Sequence, residues 1–589
     1  MLNTIHLTCD LCVVGGGLSG MAAAISAARE GLDVVLMHER PMLGGNASSE
    51  IRMWICGAHG KDNRETGILE EIALENMYRN PTKSFAIWDT VLYDFVRREK
   101  NIRLLLNCAC MDAKWEEGAF PHGRDRRIVS VTGYQMTTQR FYEVEAKYFS
   151  DCSGDSILAP LSGARYRMGR EARAEFDEYA APENADKCTM GSSVLIQARQ
   201  TDHACPFTPP SFACCYPDDE SIYLKNHDII GTGVNFWWIE LGGEEDTILD
   251  GQRINEELLR MAYGVWDHIK NHGDHGMENW ELEWIGFLPG KRESRRYEGP
   301  WILSQRDLEE GRHFEDAVAF GGWTMDNHNP KGMKFMGYSS VHITPKVPYE
   351  IPFRCLYSVN VPNLMFAGRN ISATHMAMSS TRVMATCSVI GQAAGTGAAL
   401  AIRHGCLPAD VTAHHIKELQ QQLLEDGCFI PGLTRSLSGN ADVCLSDEAK
   451  AILENGWERP HNQEANTIAV PDGEALNVTL RSPARTLRLA LDPDFSRDSI
   501  SDVSQYRKFA MRAHVEWPEK QVSMPANLLR ACRAVFTDAD GRETVTEVRE
   551  NRKALLRIPL PEQTVSVRLE ALESWGGKET RFFGCDTSN

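Results

Sequence analysis

One segment near the start of the chain restricts its fold more than any other. Thr8-Cys9-Asp10-Leu11-Cys12-Val13-Val14 is a short run suited to a buried parallel strand, and Gly15-Gly16-Gly17-Leu18-Ser19-Gly20 follows it at once. A helical pattern runs from Met21 to Arg29, stops at Gly31, and yields to a second strand-like run, Asp33 to Met37, that ends in His38-Glu39-Arg40. This is a complete βαβ unit. In the spacing Gly15-x-Gly17-x-x-Gly20 the first glycine makes a tight turn, the second leaves bare backbone for a pyrophosphate, and the third lets helix and strand pack closely. Free N–H groups at the helix start, from Leu18 and Ser19, face the phosphates. Glu39, 19 residues beyond Gly20, places a carboxylate where it accepts both ribose hydroxyls of an adenosine and repels a 2′-phosphate. Cys9 and Cys12 lie inside the first strand with no second Cys or His pair beside them, so core packing explains them better than a metal or a redox pair.

After Glu39 the chain does not continue into further βα repeats, as a nicotinamide domain would. It runs instead into Arg40-Pro41-Met42-Leu43-Gly44-Gly45-Asn46-Ala47-Ser48-Ser49, a second glycine-rich loop able to fold back over a long ligand. Ile102–Asn107, Ile128–Met136 and Phe141–Phe149 then read as a strand and a meander that returns to Asp151-Cys152-Ser153-Gly154-Asp155. These features favour a flavin dinucleotide.

Five blocks carry a resemblance over roughly residues 5 to 405. They are Gly44 to His59, Pro289 to Arg296 (Pro-Gly-Lys-Arg-Glu-Ser-Arg-Arg), Gly322 to Pro330, Ala367 to His375, and Ser380-Thr381-Arg382 continuing to Gly391-Gln-Ala-Ala-Gly395. With the opening unit they resemble the bacterial FAD-dependent oxidoreductase family with a Gly-Gly-Asn-Ala loop. The resemblance implies an α/β, glutathione-reductase-type, Rossmann-like FAD fold with an inserted α+β cap and a C-terminal β-sandwich-like domain. It further implies that FAD is bound by Gly15, Gly17, Leu18, Ser19, Gly20, Glu39 and Arg40, and by Gly44, Gly45, Asn46, Ala47 and Ser48. Ala109, Gly154, Asp155, Gly368, Arg369, Arg382, Met384 and Ala385 complete that set. In the resembling fold the helix from about Val383 points its N-terminus at the flavin, where its dipole and Arg382 would stabilise the reduced ring. The alternative is that Arg369 and Arg382 are only structural ion-pair partners.

The expected organisation is an FAD domain from 1–165 and 355–407, a cap at 166–354, a helical connector at 408–464, and a sandwich at 465–589. Strands are expected there at 476–481, 486–491, 509–516, 531–537, 555–558, 564–572 and 580–584. The sandwich reads as a packing or oligomer element, with a carbohydrate-binding module as the alternative. Seven of the 13 Trp (237, 238, 266, 280, 284, 301 and 323) fall between 231 and 330. Flat aromatic faces suit a sugar-like ligand, although for any single Trp a core position is the simpler reading.

His375, between the Gly368-Arg369 strand and the next helix, is the first candidate for proton transfer. Asp326 and His328 form a second candidate pair, and neither finds a third ligand for a metal. Arg295 belongs to the charged run Lys291-Arg292-Glu293-Ser294-Arg295-Arg296, which reads either as a carboxylate or phosphate clamp or as a salt-bridge network. Cys56 and His59 are candidates for covalent flavin attachment. No run such as C-x-x-C-x-x-C exists for an iron–sulfur relay.

A formal charge of −19 disfavours a nucleic-acid or anionic-membrane partner. The 17 Cys, odd in number and scattered, read as reduced thiols. No secretory signal is evident, and the apolar stretch 383–402, rich in Gly, Ala, Ser and Thr, reads as a buried helix rather than a membrane span. The expectation is a cytoplasmic FAD-dependent dehydrogenase or oxidase that oxidises a secondary alcohol of a sugar-like small molecule and passes electrons to an acceptor the sequence does not name; whether the chain forms a homo-oligomer stays open. The rivals are a reductase of an activated C=C or C=O bond in a carboxylate substrate, and a glycan-binding protein with a structural flavin.

Overall fold

Strand β1 (Thr4–Val14) is half exposed to Asp10 and fully buried from Leu11 to Val14. It begins four residues earlier than expected, because its first half pairs with a partner distant in sequence. The computed structural model describes residues 3–60, 62–121, 124–228, 236–461, 464–493 and 521–588. β1 lies between β2 (Val34–Met37) and β6 (Arg140–Asp151), parallel to both, and β3 (Ile102–Leu105) adds outside β2. β4 (Cys108–Phe120) and β5 (Arg124–Gln135) form an antiparallel meander into β6. β6 serves two neighbours along one edge: residues 140–145 pair with β5, and residues 149–151 pair in parallel with β7 (Leu364–Phe366). The returning chain thus completes the parallel layer of β3-β2-β1-β6-β7, and helices cover it as parallel sheets require.

Helix α1 (Leu18–Arg29) follows β1 directly. Its N-cap is Gly17, which offers no capping side chain. Gly15 has φ +107, and a Cβ there would sit 2.4 Å from the Cys152 carbonyl carbon, so only glycine serves this turn.

Residues from Val194 to Ile285 build a core of their own, whereas Leu303, Phe314, Val318, Met325 and Ile351 of the expected cap join the core around β1 and α1. Strand Ile196–Gln200 pairs with Trp280–Ile285, and helix α2 (Gly251–Asn271) turns Ile254, Leu258, Met261, Val265, Trp266 and Ile269 onto them. Trp238, Trp266 and Trp280 belong to this core, Trp284 lies under Arg52, and Trp301 lies under Arg312 and Arg354. Most of the tryptophan cluster is therefore packing.

After β7 come two helices, α3 (His375–Thr381) and α4 (Met384–His404). α4 is buried all round from Ala385 to Ala401 and crosses α1 at backbone contact. A Cβ on Gly391 would lie 2.1 Å from the Ser19 carbonyl oxygen, and one on Gly395 would lie 2.2 Å from that of Ala23. The Ser26 hydroxyl donates to Gln392 O at 3.2 Å, and Gln392 Oε1 accepts the Ile68 N–H at 3.0 Å. Among the described residues α4 alone is long and apolar enough to cross a membrane, and 94% of its apolar window is buried inside the fold.

Among the described residues the C-terminal part forms two antiparallel sheets, of five and four strands, sharing one core that includes Leu476, Leu489, Phe536, Leu569 and Phe582. Leu74 and Met77 of helix Ile68–Arg79 enter the same core, seating the sandwich on the FAD domain. Its first strand is Ala441–Val443, inside the expected helical connector. Three residues are too few for a periodic signal. Ile468–Pro471 and Glu543–Val548 are further strands the sequence reading omitted, and the expected strand at 509–516 lies outside the described residues.

Candidate active site

A cavity of about 320 Å³ runs along the C-terminal edge of the parallel sheet, the position at which open α/β sheets bind ligands. One end is lined by His38, Glu39 and Arg40, the middle by Gly15, Gly17, Leu18, Ser19, Gly44, Gly45 and Asn46. The backbones of the two glycine loops touch: Gly44 N–H donates to Gly16 O at 2.8 Å, and a Cβ on Gly45 would lie 3.1 Å from Gly17 Cα. A Cβ on Gly17 would meet nothing nearer than 3.8 Å, so its bare backbone leaves room for a ligand rather than for a neighbour.

The sequence reading missed His38 as a brace. Its Nδ1 accepts the Gly16 N–H at 3.0 Å and its Nε2 donates to Met42 O at 2.9 Å, which locks the ring between both loops. Glu39 is beside it, 45% exposed, with Oε1 accepting from Arg40 Nε at 3.3 Å.

The other end is walled by Trp54, Cys56, Gly154, Gly368, Arg369, Arg382 and Met384 from the sheet side, and by Trp237, Arg292, Trp323, Asp326, His328 and His342 from the cap. The loop carrying Cys56 is pinned to the start of α4 by the Ala385 N–H, which donates to Cys56 O at 3.0 Å. Glu65 buttresses the same loop, accepting the Ala58 N–H at 2.8 Å and approached by the Thr386 hydroxyl at 3.4 Å. Burial pushes its carboxyl up to about 7, against those hydrogen bonds. The folded chain therefore keeps this proton well above the ordinary value of 4.5. The stability it contributes is complete below pH 4.5 and is lost as pH rises through 7. Glu65→Gln should remove that loss, raising the melting temperature at pH 8 relative to the parent and leaving it level at pH 4.5. Equal shifts at both pH values would refute the assignment.

The cap wall is made by an antiparallel strand pair, Met325–His328 with Ser340–Ile343, whose register sets Asp326 directly opposite His342. With side chains alternating along a strand, Asp326 and His328 share the cavity face, and Asn327 points away. His328 lies between two carboxylates, with Nδ1 at 2.6 Å from Glu240 Oε2 and Nε2 at 3.1 Å from Asp326 Oδ2. Arg382 Nη2 donates to the same Asp326 oxygen at 3.2 Å. Burial alone would raise the Asp326 carboxyl, but His328 and Arg382 outweigh it and hold it below the usual carboxylate range. Glu240 is likewise held down, by Arg292 and His328 against burial. His342 is the half-exposed member, with Nδ1 3.6 Å from Asp326 Oδ1 and 3.1 Å from the Thr324 hydroxyl. It stands 16 residues from Asp326, and only strand register joins them.

His375 does not line the cavity. It sits on the far side of that strand, with Nδ1 2.8 Å from Glu293 Oε2 and Nε2 3.0 Å from Asn327 Oδ1. The charged run resolves into a network: Lys291 and Ser294 to Asp155, Arg292 to Ser193 and the Trp237 carbonyl, and Arg296 to Glu171 and Glu293. Arg295, a sequence candidate for catalysis, lies outside the lining, donating to the Asp155 carbonyl and covering Tyr166. The run is therefore internal bonding, with only Lys291 and Arg292 reaching the wall. Gly20, Ala47, Ser48, Ala109, Asp155 and Ala385 lie behind the wall as well: Ala109 pairs with Tyr134 in the meander, the Ala47 carbonyl accepts from Trp88, and Asp155 joins Lys291 to Arg369. His59 stacks on Trp323 with centroids 4.6 Å apart, while Cys56 lines the cavity.

A family model described as FAD dependent oxidoreductase matches residues 10–423. The chain belongs to that family. No curated protein matches it. Solved structures similar to it include a geranylgeranyl bacteriochlorophyll reductase-like protein from Thermoplasma acidophilum, 12% identical over 72% of this chain and 85% of that one, TM-score 0.31. A flavin-dependent brominase is 10% identical over 71% and 85%, TM-score 0.33, and an adenosine-5-phosphosulfate reductase is 13% identical over 72% and 75%, TM-score 0.29. These likenesses are remote and leave the reaction to the site itself.

As an FAD-dependent oxidoreductase the chain has a cavity that fits its cofactor. The uncapped first turn of α1 and the open Gly17 backbone suit a diphosphate, and Glu39 suits the ribose. Among the described residues buried Arg369 Nε and Arg382 Nε have no hydrogen-bond partner, which leaves two donors for oxygen atoms of the cofactor. Asp155, held down at about 2 by Arg369 and Lys291 against burial, fixes the Arg369 side chain. Glu39→Gln should weaken FAD binding about tenfold, or ~1.4 kcal/mol, by exchanging a charged acceptor for a neutral one. Fluorescence titration of apoprotein with FAD reads this directly, and an unchanged Kd would remove Glu39 from the ribose site.

Proposed function

We propose that this FAD-dependent oxidoreductase oxidises a hydroxyl-bearing small molecule, sugar-like in polarity, bound between the flavin and the Asp326–His342 wall. The observation that carries the reading is the cross-strand pair of a half-exposed imidazole and a buried, charge-held carboxylate on one cavity face. FAD, when bound, supplies the two-electron acceptor that takes hydride from the substrate carbon. His342 takes the hydroxyl proton, and Asp326 meets the imidazolium charge that results. Arg382 and the His328–Glu240 pair hold Asp326 in place. Trp237 and Trp323 supply apolar faces for the C–H side of the ligand. His342 here replaces His375 and His328 as proton acceptor, since His375 lies behind the wall and both nitrogens of His328 face carboxylates.

Anaerobic mixing of the yellow holoenzyme with a panel of polyols, glycosides and hydroxy acids tests the proposal through bleaching of the flavin band. Bleaching by one class identifies the substrate. Failure of every alcohol, with reoxidation of the reduced enzyme by an unsaturated acid or a ketone, would reverse the direction and overturn the reading.

A further inference from the structure

A second polar cluster lies in the cap, and Asp219, His227 and His275 of it line a cavity that shares no lining residue with the flavin cavity. Asp219, His227, His268 and His275 bring four side-chain ligand atoms within 4.8 Å of one another. The three imidazole rings form a triangle, with centroids 5.0, 4.7 and 5.0 Å apart. The sequence holds no metal spacing, because Asp219 and His227 come from the loop before α2, His268 from its last turn, and His275 from the turn beyond it. The fold alone assembles them.

Each ring has one nitrogen committed to a backbone carbonyl. His227 Nδ1 donates to Lys225 O and His268 Nδ1 to Tyr216 O, both at 2.8 Å, and His275 Nε2 donates to His272 O at 3.3 Å. Such bonds fix the tautomer and leave the other nitrogen with its lone pair, as they do for metal-binding histidines. His268 is wholly buried, and its Nε2 has no hydrogen-bond partner although Asp219 Oδ1 stands 3.2 Å away. His227 Nε2 lies 3.7 Å from the same oxygen. The ring nitrogens not bonded to the backbone and the Asp219 carboxylate oxygen thus converge on one point, an arrangement that a bound cation satisfies.

We propose that Asp219, His227, His268 and His275 bind a divalent metal ion, Zn²⁺ by ligand type, in a structural site that staples the loop 219–227 to the end of α2. Nitrogen and carboxylate ligands at bonds of about 2.0–2.1 Å in a tetrahedron lie about 3.3 Å apart, near the two distances above. Four protein ligands close the coordination, which marks a structural rather than a catalytic ion. His272 takes no part, since its Nε2 donates to Asp267 at 3.2 Å.

The test uses the full-length holoenzyme, equilibrated with Zn²⁺, desalted, and assayed for metal by mass spectrometry with FAD absorbance as the count of folded chains. The expected result is one equivalent of zinc per FAD, reduced at least tenfold in Asp219→Ala/His275→Ala, whose changes lie at the more exposed ligands and leave FAD content intact. Substitution by Co²⁺ should give the intense visible bands of a tetrahedral ion in the parent and not in the double variant. Zinc should also raise the melting temperature of the parent alone. A parent that retains no zinc, or a double variant that retains it, would overturn the site, and neither outcome touches the flavin reading.

Discussion

Gly391→Val is expected to abolish FAD retention. A Cβ at this position would lie 2.1 Å from the Ser19 carbonyl oxygen and 2.8 Å from Ser19 Cα, and both are backbone atoms that no rotamer change can move aside. Relief requires α4 to withdraw from α1. That withdrawal would open the contact that continues through Gly395 and Ala23, and would displace the uncapped end of α1 where the diphosphate is to bind. Overpacking in a relaxed core costs about 1–3 kcal/mol, and a clash between two backbones inside a buried helix pair exceeds that range. The expected outcome is insoluble or colourless protein, whereas Gly405→Ala, at the C-cap of the same helix with open space beside it, should stay soluble and yellow. A yellow Gly391→Val protein with an unchanged melting temperature would show that the close helix crossing is not what positions the cofactor.

His342→Gln is expected to slow flavin reduction by the true substrate 10²- to 10⁴-fold while leaving the FAD spectrum and content unchanged, the range for loss of a positioned proton acceptor. Asp326→Asn should slow the same step, by less, because His342 remains but its imidazolium loses the facing charge. Stopped-flow reduction under anaerobic conditions separates this step from reoxidation. If His342→Gln reduces at the parental rate while His328→Gln does not, proton transfer belongs to the Glu240–His328 pair, and the role given to His342 falls.

The sequence was most informative where a backbone requirement leaves a residue signature. Gly15, Gly17 and Glu39 sit in a local unit whose geometry is set within forty residues, and the structure puts all three on the cavity wall. The stretch rich in Gly, Ala, Ser and Thr was legible as a buried helix for the same reason, and its small residues are what permit the close crossing with α1. Local pattern failed where partners are distant. His342 faces Asp326 through strand register, and the three-residue strand Ala441–Val443 exists only because Leu480 and its neighbours lie beside it. His375 was misplaced because one residue of alternation decides which face of the neighbouring strand it meets: Asn327 points toward it, and Asp326 and His328 point away. The charged run 291–296 was ambiguous for another reason, since a clamp and an internal network have the same composition and differ only in which carboxylates come near.

The split edge of β6 has a consequence for how the protein is made. β7 completes the parallel layer from residue 364 onward, more than two hundred residues after β6, and α4 must then slide against α1. A ribosome therefore releases the whole cap before the cofactor cleft can close. Until then the emerging α1 exposes a face that only α4 can cover, a long-range pairing of the kind that slows folding and invites aggregation.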